Sequence, residues 1–171
     1  REKVYLAPER ICLVVKYIIE NFNKKTYRNQ HSYAFSVVKN VSDVVQNKNK
    51  KYIAGETIQD PSNMGAFFRT AEALGIDALV LSGDCCDIYS PKVLRGSMGA
   101  VFRMPVFILD DFADELKTLT KSGFETFAAV VDKNAKAITE CDFTNGGIAV
   151  IGNEGNGLRD EVSNQADIWV R

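Results

Sequence analysis

The sequence predicts an α/β fold, a parallel sheet with helices on both faces, and two observations carry that expectation. From residue 51 onward, apolar runs of strand length alternate with amphipathic stretches of helix length. Leu81, Val131 and Ile151 also end apolar runs that pass straight into loops containing Gly or Asp. In parallel sheets, ligands bind beyond the carboxyl ends of the strands, so those loops are where a site is expected.

Taken in order, ERICLVVKYIIENF (9–22) places Ile11, Val14, Val15, Ile18, Ile19 and Phe22 at helical spacing, an amphipathic helix. YAFSVVKNVSDVV (33–45) reads as strand or helix, with a short strand preferred over 33–38. NKNKK (47–51) is the nearest thing to a linker, which divides the chain into a basic segment, 1–50, and a main domain, 51–171. In the main domain strands are expected at KYIAGE (51–56), ALVLS (78–82), MPVFI (104–108), TFAAVV (126–131), GIAVIG (147–152) and DIWVR (167–171). Helices are expected at 63–74, 91–98, 111–122 and 157–164. The third of these is plain scaffold: Asp110 and Asp111 can cap it, Phe112, Leu116 and Leu119 face the sheet, and Gly123 stops it.

With 46% hydrophobic and 25% charged residues in 171, the composition is that of a globular domain. No run approaches the roughly 18 apolar residues of a membrane span, and no signal peptide is visible. Cys12, Cys85, Cys86 and Cys141 lack C-x-x-C spacing, and His31 is the single histidine, so no metal site is expected. They read as reduced thiols of a cytoplasmic protein. The net charge of −1 hides an asymmetry. Residues 1–51 carry 11 Lys+Arg against 4 Asp+Glu, and residues 52–171 carry 10 against 18. The basic front either grips a polyanion or is a solvated, Lys-rich linker.

Two turns are richer than plain connections. In QDPSNMGAFFRTAEALG (59–75), Met64, Phe67, Phe68, Ala71 and Leu74 form an expected buried stripe and Gly75 the stop. Ser62 or Asn63 can cap the first amides, with Pro61 in the turn just before the helix. Gly65 costs up to about 1 kcal/mol relative to Ala in a first helical turn, so another backbone or a ligand is expected close by. Arg69 falls off the stripe, either as an ordinary surface arginine or on the side next to the carboxyl edge of the sheet. In VIGNEGNGL (150–158), Gly152, Gly155 and Gly157 allow a tight strand-to-helix turn that could present amides to a ligand. The spacing is neither that of a P-loop nor G-x-G-x-x-G. Between them, the small residues of PKVLRGSMGAVFRMPV (91–106) point to close helix packing or a subunit contact, with Arg95 or Ser97 as secondary candidates for a site.

DPSNMGAFFRTA (60–71), GNEGNGL (152–158) and the intervening SMGAVFRMPV, in that order, resemble the SpoU/TrmH-type RNA 2′-O-ribose methyltransferases of the SPOUT superfamily. The first segment matches that family's D-P-x-N-x-G-x-x-x-R-T-A motif throughout, and the second its G-x-E-x-x-G-L motif. The resemblance runs from about residue 51 to the end. It implies a parallel sheet with a C-terminal trefoil knot, a homodimer, S-adenosylmethionine as cofactor, and a structured tRNA or rRNA as substrate. It assigns Asn63, Arg69 and Glu154 to the catalytic site. Gly152, Asn153 and Gly155, with the strand-end residues Ala129 and Val130, would hold the cofactor. The sequence stops at ADIWVR, where the family's third motif, I-P-M followed by S-L-N, would begin. The knot-closing segment is therefore expected to be absent, leaving a chain that binds cofactor poorly and is inactive by itself. The 1–50 segment is too short for the RNA-binding domain many members carry, and reads as a remnant of it or a short extension. Two rival classes remain. One is a non-catalytic RNA-binding dimer. The other is a nucleotide-binding oxidoreductase, which leaves DPSNMGAFFRTA unexplained and lacks a correctly placed acid after the glycine turn.

Overall fold

In a computed structural model, the described residues are 37–38, as backbone, and 50–171. They form a sheet in which all pairings between strands are parallel. Its strands are β1 (Val37–Val38), β2 (Lys51–Gly55), β3 (Ala78–Ser82), β4 (Val106–Leu109), β5 (Thr126–Ala129), β6 (Gly147–Ile151) and β7 (Ile168–Val170), in the order β1-β4-β3-β2-β6-β5-β7. Among the described residues four α-helices lie between them: α1 (Pro61–Ala73), α2 (Pro91–Gly96), α3 (Phe112–Lys121) and α4 (Asp160–Ser163). The helix expected over 9–22 lies outside the described residues. Of the strand preferred over 33–38, Val37–Val38 is strand, pairing with β4.

Side chains alternate across a strand, so each central strand feeds two cores. Tyr52, Ala54, Ala78, Val80, Ile148 and Val150 meet Phe112, Leu116 and Leu119 of α3 and Val162 of α4. On the other face Leu79, Leu81 and Val106 meet Met64, Phe68 and Ala71 of α1 and Val93 of α2. That is the expected helix–sheet–helix layering, and it explains why ALVLS is buried at every position.

Several details differ from expectation. α1 starts two residues early, because Asp60 rather than Ser62 or Asn63 is the N-cap and Pro61 sits inside the first turn. Leu74 is the C-cap and is 68% exposed, so the buried stripe ends at Ala71. β5 stops at Ala129, one residue after its last β6 partner, and Val131 is fully exposed beyond it. β4 begins only at Val106, after Pro105, which has no N–H to give a neighbouring strand. The last helix is short, Asp160–Ser163, because residues 153–157 close into a turn of their own and Arg159 remains extended.

Gly65 has a structural cause. A Cβ at this position would stand 2.8 Å from the Gly96 carbonyl carbon and 2.9 Å from its Cα, so α1 and α2 touch backbone to backbone here. The close partner is thus another helix and not a ligand. Gly65→Ala is expected to force the helices apart and cost about 1–3 kcal/mol, read as a drop in Tm; an unchanged Tm would refute the close contact. The same packing buries Ser97, whose hydroxyl donates to the Leu94 carbonyl at 3.1 Å, and leaves Arg95 exposed. The bland reading of this segment, tight packing, is the one the fold uses.

Candidate active site

Strand order decides where loops can meet. The connection leaving β2 runs through α1 to β3 on one side, whereas the connection leaving β6 runs through α4 to β7 on the other. β2 and β6 are neighbours, paired from Lys51↔Gly147 to Gly55↔Ile151, so a crevice opens beyond their carboxyl ends. Both unusual turns, residues 56–60 and 152–159, lie there.

At the first turn the Asp60 carboxylate accepts the Ser62 amide at 2.6 Å and lies 3.5 Å from Lys92. The Ser62 amide bond, more than Lys92, holds its pKa below the usual carboxylate value despite some desolvation. With Asp60 serving as cap, the Asn63 side chain is released from that duty. Its Nδ2 instead donates to Glu154 Oε1 at 2.9 Å. This bond joins the two sequence segments across the crevice.

The second turn is organised by Asn153. Its backbone N–H and C=O pair with Gly157 at 3.0 and 2.9 Å. Its Oδ1 accepts the amides of Gly155 at 2.9 Å and Asn156 at 3.1 Å, and its Nδ2 donates to the Thr57 carbonyl at 2.9 Å. The Gly155 and Gly157 amides, expected to face a ligand, are therefore already used within the loop. A contact from Gly155 to a ligand is left to its carbonyl and Cα. Gly152 is compelled by the same closure, since a Cβ there would lie 2.2 Å from the Gly157 carbonyl carbon.

Ala129 is exposed at the end of β5, and the Val130 amide is bonded to the Val170 carbonyl at 2.9 Å. Ala128 pairs with Val150, which sets both residues beside the end of β6. Arg69 is exposed, with no hydrogen bond or ion pair among the described residues. Helix geometry puts it roughly 120° around α1 from Asn63. It shares a face with Gly65 and Glu72, which meet Gly96 and Arg103. The fold thus brings Asn63, Asn153 and Glu154 together and leaves Arg69 on the opposite flank of the buried stripe.

Sequence reasoning missed Glu56 and Arg159. Glu56, at the end of β2, is completely buried. It accepts the Arg159 backbone amide at 3.0 Å with Oε2 and the Arg159 Nε with Oε1. The hydrogen bond to Glu56 is the main reason the Arg159 guanidinium is held above its ordinary pKa. This pair straps the far end of the 152–159 loop to the central strand. The available signal was an acid closing an otherwise apolar strand. Cys85, Cys86 and Cys141 are free thiols, and burial pushes the pKa of Cys85 and Cys86 upward. Among the described residues no cluster of His, Cys, Asp and Glu is arranged to hold a metal ion, and no helix is long and apolar enough to cross a membrane.

Comparison with known proteins gives concordant findings. The pattern of the SpoU rRNA Methylase family matches residues 50–171. The chain is 31% identical over 121 residues to the 23S rRNA (guanosine(2553)-2'-O)-methyltransferase RlmP of Bacillus subtilis, covering 70% of this chain and 47% of that protein. A structure from Porphyromonas gingivalis, assigned to the TrmH family of RNA methyltransferases, matches with a TM-score of 0.67 and 30% identity over 72% of this chain and 50% of the other. The SpoU methyltransferase AviRb of Streptomyces viridochromogenes, solved with AdoMet, shares the fold at a TM-score of 0.65 and 24% identity, over 78% of this chain and 52% of that one. The chain spans about half the length of each of these relatives.

Proposed function

Because the chain belongs to the SpoU rRNA methylase family, we propose that it carries the catalytic fold of an S-adenosylmethionine-dependent enzyme that methylates a ribose 2′-hydroxyl in tRNA or rRNA. The observation that carries this reading is the Asn63–Glu154 hydrogen bond, which closes the two motif segments over the crevice between β2 and β6.

The carboxyl edge of the sheet suits the cofactor. Ile151 at the end of β6 is 41% exposed and Val131, just past β5, is fully exposed, so bare apolar side chains stand there next to polar backbone. Ala129, Val130, Gly152, Asn153 and Gly155 are the residues that would hold it. When bound, S-adenosylmethionine supplies an electrophilic methyl group on a sulfonium. The protein then has to align the ribose hydroxyl in line with that methyl and assist loss of the hydroxyl proton. Arg69 is a poor base, since a guanidinium rarely gives up its proton. Its role in the proposal is to bind the neighbouring phosphate and polarise the 2′-hydroxyl, with the proton passing to solvent or a phosphate oxygen. Glu154, fixed by Asn63, orients the ribose. Since Arg69 and Asn63 leave α1 on different flanks, the proposed working unit is a homodimer, in which RNA spans two copies. The proposed location is the cytoplasm.

The test uses the full-length gene product. Calorimetric titration is expected to show binding of S-adenosylmethionine and none of NAD. Incubation with labelled cofactor and unmodified cellular RNA is expected to yield alkali-resistant dinucleotides, the mark of a 2′-O-methyl group. Binding of NAD in place of S-adenosylmethionine would return the chain to the oxidoreductase class. Binding of RNA without methyl incorporation would make it a non-catalytic module.

A further inference from the structure

Thr57 has a left-handed backbone, φ 52°, a conformation that β-branched residues strongly disfavour. It stands in the loop between β2 and α1, and a specific set of bonds holds it there. Its amide donates to Ser82 Oγ at 2.8 Å and its hydroxyl to Asp84 Oδ2 at 2.8 Å. The other Asp84 oxygen, Oδ1, accepts the Ser82 hydroxyl. One carboxylate therefore secures both the side chain of Thr57 and the group that binds its amide. Burial raises the pKa of Asp84, but the bonds from Ser82 and Thr57, with its own backbone amide and the charge of Arg159, leave the carboxyl below its usual value. The two loops are further stitched by the Cys86 amide to the Ile58 carbonyl at 2.9 Å and by the Gln59 side chain to the Asp84 carbonyl.

The consequence lies in what the turned Thr57 presents. Its carbonyl accepts Asn153 Nδ2 at 2.9 Å. Asn153 in turn holds the Gly155 and Asn156 amides and approaches Glu154 Oε2 at 3.4 Å, while Glu154 receives Asn63 at 2.9 Å. A continuous path of hydrogen bonds runs from Asp84, in the turn after β3, to the pair that closes the crevice. We propose that Asp84 is a positioning residue: by keeping Thr57 left-handed it aims the Thr57 carbonyl at Asn153, and so sets Glu154 against Asn63. Its catalytic consequence rests on the methyltransferase reading, whereas its structural consequence does not.

Glycine adopts a left-handed backbone without penalty, which makes the clamp dispensable if strain is what it opposes. The test compares Asp84→Asn, Thr57→Val, Thr57→Gly and the double variant Asp84→Asn/Thr57→Gly in the full-length protein. The first readout is amide hydrogen exchange in peptides spanning residues 152–158. Asp84→Asn and Thr57→Val are expected to accelerate exchange at Gly155 and Asn156 by about tenfold or more. Thr57→Gly and the double variant are expected to exchange at close to the wild-type rate. Should Asp84→Asn fail to fold, the opposed outcomes of Val and Gly at position 57 still decide the matter, because both remove the same hydroxyl. The second readout is methyl transfer, where Asp84→Asn is expected to lose about tenfold in kcat and regain it with Thr57→Gly. Unchanged exchange in Asp84→Asn and Thr57→Val, or equal acceleration in the Val and Gly variants, would overturn the proposal. A wild-type protein that transfers no methyl group would defeat the functional reading instead, leaving the exchange result to judge the clamp.

Discussion

Arg69→Ala is expected to abolish methyl transfer to RNA, with a loss of at least about a hundredfold in kcat/KM, the scale of removing one preorganised charge-stabilising donor. The same variant should fold normally. Arg69 is exposed and makes no bond among the described residues, and alanine is the best helix former, so stability should change by no more than about 0.5 kcal/mol. That combination is the diagnostic result. A surface arginine with a folding role would lower Tm, and one with no role would leave turnover untouched. Near-normal turnover in a well-folded variant would remove Arg69 from the site. Loss of RNA affinity with S-adenosylmethionine binding intact would place its contact on the RNA phosphate, as proposed.

Gly152→Ala should damage the protein in a different way. Its new methyl would lie 2.2 Å from the Gly157 carbonyl carbon, 2.3 Å from the Leu158 nitrogen and 2.4 Å from the Gly157 oxygen. All three are backbone atoms, which cannot rotate aside. The loop must open, losing the paired Asn153–Gly157 bonds and with them the anchor of the Asn153 side chain. The expected cost is about 2–4 kcal/mol in stability, together with a fall of roughly a hundredfold or more in S-adenosylmethionine affinity. Gly155→Ala is the control for stability, because its nearest neighbour would be the Asn153 side chain at an ordinary 3.5 Å. Denaturation of the two variants should diverge accordingly. Equal tolerance of alanine at both positions would show that the loop does not close on itself.

These two glycines show how far a sequence can be read. Both stand in one short motif and look equivalent as letters, and both were expected to serve a ligand. In the fold, Gly152 is required by the carbonyl of Gly157, and Gly155 is under no comparable constraint. Gly65 makes the same point from a distance: its reason is Gly96, brought beside it by the packing of α2 on α1. Leu74 and Val131 were expected on an apolar stripe and in a strand, and both are solvent-facing because their elements end before them. Where an element ends depends on the last partner available, which is a property of neighbouring strands and caps rather than of local pattern.

The strands, the helices that cover them and the positions of the two unusual turns were legible in the sequence, because they follow from periodicity and turn chemistry within a few residues. Burial of ALVLS on both faces and the stripe of Met64, Phe68 and Ala71 needed no more than that. The partner of each polar side chain was not legible. Asn63 could cap its own helix by local rules, and it was free to reach Glu154 only because Asp60 took the cap and strand order set β6 beside β2. Glu56, Thr57, Ser82, Asp84 and Arg159 drew no notice as letters, yet their bonds span loops far apart in the chain. Local sequence determines which conformations and which donors and acceptors are available; only the packed sheet decides which of them meet, because a hydrogen bond between distant residues depends on distance in space and not on spacing along the chain.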